Sequence, residues 1–224
     1  MKLWDARLFR TFFETGSNDL IKRVRNSGPV GRVRDAFTKA VRPGDVVWDA
    51  GAGDGTFTEL FCQLVGSEGS VFAVEPRAVF HEAIRERLPN CGWLQVEKVA
   101  LEGFDALLVA GARSTDSGVE NSNATWNGTD ESGPREACRG DTMCGRLGRI
   151  PNVLRVAVQG REEEVLAGMG TKLASRSLRA VMIEINLLEV PRIGMAPRRM
   201  EGLLGAMGFT TRWIDESHLF GTRS

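Results

Sequence analysis

The sequence predicts an α/β fold built on a mostly parallel sheet with helices on both faces. Three observations carry this expectation. From Val46 onward, short apolar runs alternate with stretches of helical period, the pattern of repeated strand–helix–strand units. The first run, "VVWDAGAGDG" (46–55), ends in an acid followed by three alternate glycines, the make-up of a tight bend from a strand into a helix. The last two runs, "FTTRWI" and "HLFGT", lie too close together for a crossover helix, so the sheet should close on an antiparallel hairpin.

Each element can be justified in turn. After the strand at 46–49, Phe57, Leu60, Phe61 and Leu64 fall on one helix face, closed by Gly66 and Gly69. "SVFAVEP" is the second strand, and Pro76 suits the first turn of a helix that turns Phe80, Ala83, Ile84 and Leu88 inward. "WLQVEKVAL" reads as one third strand, with "FDALLVA" beside it. From Gly111 to about Thr142 the chain becomes polar. An insert of that length is a lid, a binding loop or a disordered linker; disorder is expected first, with Trp126 as the residue able to dock over a pocket. "NVLRVAV" and "AVMIEI" are the fourth and fifth strands, separated by the stripe Val165, Leu166, Met169 and Leu173. A last stripe, Met200, Leu203, Leu204 and Met207, meets Gly208 as a C-terminal cap. Residues 1–42 form a helical extension outside the sheet, broken at "RNSGPVG", and 43–224 form the main domain with the insert at about 111–142.

Composition narrows the partners. The chain of 224 residues carries 29 basic and 29 acidic side chains, so no global field favours nucleic acid or an anionic membrane. No apolar stretch approaches the roughly 18 residues of a span, and "MKLWDARLFRTFF" carries Asp5 and arginines where a signal peptide needs an uninterrupted apolar segment. A cytoplasmic protein is expected. Cys62, Cys91, Cys138 and Cys144 lack zinc spacing and only His81 and His218 could assist them, so free thiols and no metal site are expected. Asn123 and Asn127 match glycosylation spacing, which reads as a chance match in a polar loop.

The glycine-rich bend is the chemical focus. Gly51, Gly53 and Gly55 remove Cβ atoms, permit positive φ and free backbone N–H groups to touch a ligand; a purely structural turn is the competing reading. A dinucleotide fingerprint from Gly51 needs glycine at position 56, where Thr56 stands, and no G-K-[ST] follows the loop. The second strand ends in Glu75, 26 residues after Asp49. A carboxylate there can accept both hydrogen bonds of a ribose diol.

These segments resemble the FkbM-type methyltransferases. The resemblance runs from about residue 44 to about 214 and rests on "VVWDAGAGDGTFTELF", "VFAVEPRAVFHEAI", the "VAL" after the third strand, and "IPNVLRVAVQGREEEVLAGM" followed by "AVMIEIN". It implies a three-layer Rossmann-like methyltransferase fold with a mostly parallel seven-stranded sheet, and S-adenosylmethionine as cofactor. It further implies that Asp49, Gly51, Gly53, Asp54 and Gly55 hold the methionyl end, that Glu75 holds the ribose, and that Val99 and Ala100 border the adenine. The acceptor it implies is a hydroxyl of a small molecule or sugar, not nucleic acid.

One segment departs from the family. Where the family has K-x-D-x-E-G-x-E, this chain has Arg155-x-Ala157-x-Gln159-Gly160-x-Glu162. Ala157 and Gln159 replace carboxylates, so either the acceptor chemistry has changed or the chain is a donor-binding protein without transfer. Glu184, Gln159 and Glu162 are the catalytic candidates, with His81 and Asn186 behind them. Gln159 can orient a group but cannot act as a base. Glu162, Glu163 and Glu164 open a helix, where the dipole favours negative charge. His81 reads as a surface residue before a base, and Glu184 ranks ahead of it because a buried acid without a role is costly.

Overall fold

The computed structural model describes residues 28–108, 135–158, 160–185 and 197–223. Contacts divide the chain into two units, Met1–Lys39 and Ala40–Ser224. The described part of the first is helix α1 (Gly28–Ala40) up to Lys39. It starts inside "RNSGPVG", so the expected break is a helix start, with Pro29 in the first turn where its missing N–H costs nothing. The remainder of the expected extension, residues 1–27, lies outside the described residues.

The second unit opens with β1 (Val46–Ala50), α2 (Thr56–Val65), β2 (Ser70–Val74), α3 (Ala78–Arg87) and β3 (Leu94–Glu97). It continues with β4 (Val99–Glu102), β5 (Ala106–Leu108), β6 (Arg135–Arg139), α4 (Gly140–Leu147) and β7 (Val153–Val156). It ends with α5 (Glu162–Gly168), a 3-10 turn (Gly170–Ala174), β8 (Ala180–Glu184), α6 (Pro197–Ala206), β9 (Thr210–Trp213) and β10 (His218–Thr222). The seven-stranded sheet runs β3-β2-β1-β7-β8-β10-β9. β1 pairs in parallel with both β2 and β7, so chain order reverses at β1, where doubly wound sheets place their crevice. β10 runs antiparallel to β8 and β9, which is the expected terminal hairpin.

Strand alternation sorts the two faces. Trp48, Ala50, Leu154, Val156, Val181 and Ile183 share one buried cluster with side chains of α4, α5 and α6. Ala73 points the other way and packs on Ile84 of α3; Asp49 also points that way and meets Thr58 of α2. Helices on both faces complete a three-layer arrangement.

Two expectations about the middle of the chain are corrected. "WLQVEKVAL" is not one strand: it divides at Lys98, where β3 stays beside β2 while β4 leaves to pair with β6. "FDALLVA" does not lie beside β3; β5 pairs antiparallel with β6, giving a second sheet in the order β4-β6-β5. The central strand of that sheet comes from the polar stretch assigned to 111–142. Its Ala137 and Cys138 are almost wholly buried, which orders residues whose composition reads as loop. α4 follows directly, so the polar insert ends structurally at Arg135. Residues 109–134, with Trp126, lie outside the described residues.

Candidate functional site

The bend between β1 and α2 is tied down by backbone hydrogen bonds before any side chain contributes. The amides of Gly51 and Ala52 both donate to the carbonyl of Val74, at 2.9 and 3.3 Å. The bend therefore sits on the tip of β2. Gly51, Gly53 and Gly55 all have positive φ, at 79°, 54° and 80°, as their spacing suggests.

The reasons for these glycines differ from the expected one. A Cβ on Gly51 would lie 2.1 Å from the carbonyl oxygen of Ala157, at the end of β7. A Cβ on Gly55 would lie 3.0 Å from the side chain of Ile84 in α3. At both positions the close neighbour is the protein itself. Only Gly53 faces open space, with nothing within 4 Å of its built Cβ.

Glu75 completes the bend. Its residue is 1% exposed, and its Oε2 accepts from the Gly53 amide at 3.0 Å. Its Oε1 accepts from the Arg77 amide at 3.0 Å and from Arg77 Nε at 2.9 Å. His81 is buried, a correction to its surface reading. Its Nε2 lies 2.5 Å from the Glu75 carbonyl oxygen; a carbonyl only accepts, so Nε2 carries the proton and fixes the backbone of Glu75.

Asp49 turns inward. It has no exposed surface, accepts from Thr58 Oγ1 at 2.7 Å, and pairs with Arg155 Nη1 at 2.8 Å. Asp49 and Arg155 are register partners on β1 and β7, so the pairing follows from strand alignment. Arg155 reaches on to Glu184 Oε2 at 2.6 Å and lies over the Phe57 ring at 4.5 Å. Stripping a buried ion of one partner costs about 3–5 kcal/mol, so this guanidinium locks the rim of three elements together. Burial alone would lower its pKa, but the two carboxylates outweigh that and hold it above its ordinary value.

The row of charges extends one strand further. His218 is the register partner of Glu184; its Nε2 lies 3.8 Å from Glu184 Oε2 and its Nδ1 2.7 Å from Asp215 Oδ1. At 3.8 Å the first contact is an ion pair rather than a hydrogen bond. His218, and then the Arg155 guanidinium, bring the Glu184 carboxyl down to about 2 despite the opposing effect of burial. Burial pushes the His218 imidazole down, yet Glu184 and Asp215 prevail and leave it above its ordinary 6.5. A carboxylate so acidic accepts hydrogen bonds but takes up no proton at neutral pH.

The other expected positions are scattered. Glu162 has no exposed surface, and both its oxygens accept from the Gly160 amide, at 2.9 and 3.1 Å; it holds the turn that leads into α5. Burial pushes its carboxyl up, with the Gly160 amide opposing. Asp54 is exposed, caps Thr56 and pairs with Arg87 at 2.9 Å. Val99 is packed into the main cluster, and Ala100, on β4, is half-buried. Gln159 and Asn186 lie outside the described residues. A surface groove elsewhere is lined by Cys62, Gln63, Arg87, Pro89, Cys91 and Trp93.

Arg155 and His218 were not picked out by the sequence reading. The available signal was a pair of apolar runs, "VVWDA" and "VLRVA", each interrupted once by a charge of opposite sign.

No family model matches the chain. No curated protein matches it either. Solved structures do. The chain is similar to a Clostridium thermocellum protein described as an rRNA methylase, at 12% identity and a TM-score of 0.54, covering 88% of this chain and 96% of that one. The fold is that of the Rossmann-like methyltransferases. A Streptococcus mutans protein described as a methyltransferase and solved in complex with SAH gives 12% identity and a TM-score of 0.54, covering 87% of this chain and 96% of that one. Methyltransferase FkbM from Methylobacillus flagellatus KT gives 9% and 0.54, covering 85% of this chain but 50% of that longer one. At such identities the likeness carries the fold and nothing finer.

Two outcomes check this geometry. Gly53→Ala should keep the fold at a cost of about 1–2 kcal/mol for its left-handed backbone, whereas Gly51→Ala, driven into the Ala157 carbonyl, should cost more than about 3 kcal/mol. Equal costs in urea unfolding would refute the close approach at Gly51. The second outcome concerns pH. The contribution of charged His218 is complete below its ordinary 6.5 and lost as pH rises through its raised folded value. That of Glu184 is complete above its ordinary 4.5 and lost as pH falls toward about 2. His218→Gln should therefore flatten the alkaline limb of the stability–pH curve and shrink the Glu184-dependent acid limb to what Arg155 alone sustains. An unchanged alkaline limb would contradict the pairing.

Proposed function

We propose that this chain binds S-adenosylmethionine and acts as an FkbM-type O-methyltransferase on a hydroxyl of a small molecule or sugar. The observation that carries the donor reading is the Gly53–Glu75 contact: an amide at a bend open to solvent, hydrogen-bonded to the carboxylate at the tip of the next strand. The space a Cβ would fill at Gly53 is empty and Glu75 Oε2 retains acceptor capacity; with Glu75 itself 1% exposed, the bend gives way at Gly53 to admit the nucleoside. The roles shift from those the resemblance implies. Glu75 takes the ribose, Gly53 and Asp54 border the donor, and Ala100 rather than the packed Val99 faces the adenine. Asp49 supports the site through Arg155 instead of touching the methionyl end.

A sulfonium donor would supply a methyl group already activated by its positive charge. The protein's part is then mainly alignment and exclusion of water. Glu184, half-exposed at the end of β8, accepts a hydrogen bond from the acceptor hydroxyl and aims it. Arg155 and His218 keep that carboxylate ionised and fixed. Glu162, wholly buried, takes no part.

A second reading, a donor-binding protein without methyl transfer, is favoured by one observation. Glu184 is held too acidic, and Glu162 too deeply buried, to serve as a general base. The charge balance of the whole chain lends no support to nucleic acid as the acceptor.

Titration calorimetry with S-adenosylhomocysteine tests the shared premise. Glu75→Gln should weaken binding about ten- to a hundredfold, the value of a charged hydrogen bond, while circular dichroism stays unchanged. Unaltered affinity would remove Glu75 from the site. Transfer of a radiolabelled methyl group into a metabolite extract then separates the readings: labelled product supports the enzyme, and tight binding with no product supports the silent protein.

A further inference from the structure

Resting on the proposed nucleoside site, a second residue controls how well Glu75 can serve it. A carboxylate offers about four lone-pair positions, and three of those on Glu75 are taken within the chain. Oε2 accepts from the Gly53 amide; Oε1 accepts from both the amide and the Nε of Arg77. A vicinal diol is held best with one hydroxyl on each carboxylate oxygen. Oε1 has no position left for it.

The carboxylate cannot turn to present another edge. Its main chain is held on both sides, by the Glu75 amide donating to the Glu97 carbonyl at 3.0 Å and by His81 at the Glu75 carbonyl. The Gly53 and Arg77 amides belong to the fixed bend and to the start of α3. Of the three donors, only the Arg77 side chain is free to leave. It is 33% exposed, and its guanidinium rests 4.2 Å from the centre of the Phe80 ring, an aromatic perch that does not depend on Glu75.

We propose that the Arg77 side chain is an internal competitor for the ribose diol, occupying Oε1 of Glu75 and having to swing off before both hydroxyls can be held. Arg77 thereby sets the affinity and diol selectivity of the site without contributing a contact to the bound nucleoside.

The test uses the full chain, titrated with S-adenosylhomocysteine and with its 2′,3′-dideoxy analogue, in wild type and in Arg77→Met, which keeps the length and ring contact but has no donor. Because Arg77→Met frees one of the two occupied positions on Oε1, it should tighten S-adenosylhomocysteine at least two- to fivefold and leave the analogue unchanged, about the worth of one such pair. Added salt should tighten wild type toward the variant and have little effect on the variant. Weaker binding of S-adenosylhomocysteine by Arg77→Met would make Arg77 a nucleoside ligand and overturn the proposal. Equal tightening of both compounds would also overturn it, because the diol would not be what Arg77 displaces. Absence of binding by both folded proteins would remove the donor site itself, a failure distinct from the other two.

Discussion

The hydrogen bond from the Gly53 amide to Glu75 Oε2 is the constraint on which the site depends. It joins two pieces of chain that parallel pairing alone leaves independent: the exit of β1 and the exit of β2. The paired strands bring their ends level, Ala50 beside Val74, and the Gly51 and Ala52 amides then fasten the bend to the Val74 carbonyl. A side chain at Gly51 would push the bend off β7, and one at Gly55 would push it off α3. Those two glycines give Gly53 its position, and Gly53 gives the buried Glu75 side chain a hydrogen-bond donor.

Beside this bend lies a row of five charged side chains running across four strands and the turn before β10: Asp49, Arg155, Glu184, His218 and Asp215. Each ion has a neighbour of opposite sign, as burial demands. The Asp49 end is sealed under Phe57 and Thr58 at the start of α2; Glu184, at the end of β8, has the most exposed side chain of the row, at 40%. Burial thus leaves Glu184 as the exposed member, flanked on both sides by mostly buried partners.

Much of the fold was legible because its signals are local. Strands with continuous apolar runs, helices with clear stripes, and a hairpin too short for a crossover each announce themselves within about ten residues. The accessory sheet was not legible. "REACR" sets two small residues between charged ones, with no strand alternation, and is ordered by the burial of Ala137 and Cys138 on a strand paired between β4 and β5, a long-range effect; nor does "VEKVA" contain a turn residue to mark the division at Lys98. In the site, the positions of Gly53 and Glu75 followed from spacing. What the glycines touch did not, because the backbone that approaches Gly51 comes from a strand about a hundred residues downstream. Asp49 and Glu184 read separately as ligand and base; only the side-by-side register of β1, β7 and β8 shows that Arg155 holds both.

The most direct check is hydrogen–deuterium exchange of the full chain with and without saturating S-adenosylhomocysteine. A nucleoside clasped between the bend and the tip of β2 should slow exchange in peptides spanning residues 50–56 and 74–80, leaving the groove around Cys91 and Trp93 unaffected. Saturated binding that protects the groove while the Gly53 amide exchanges freely would contradict the clasp.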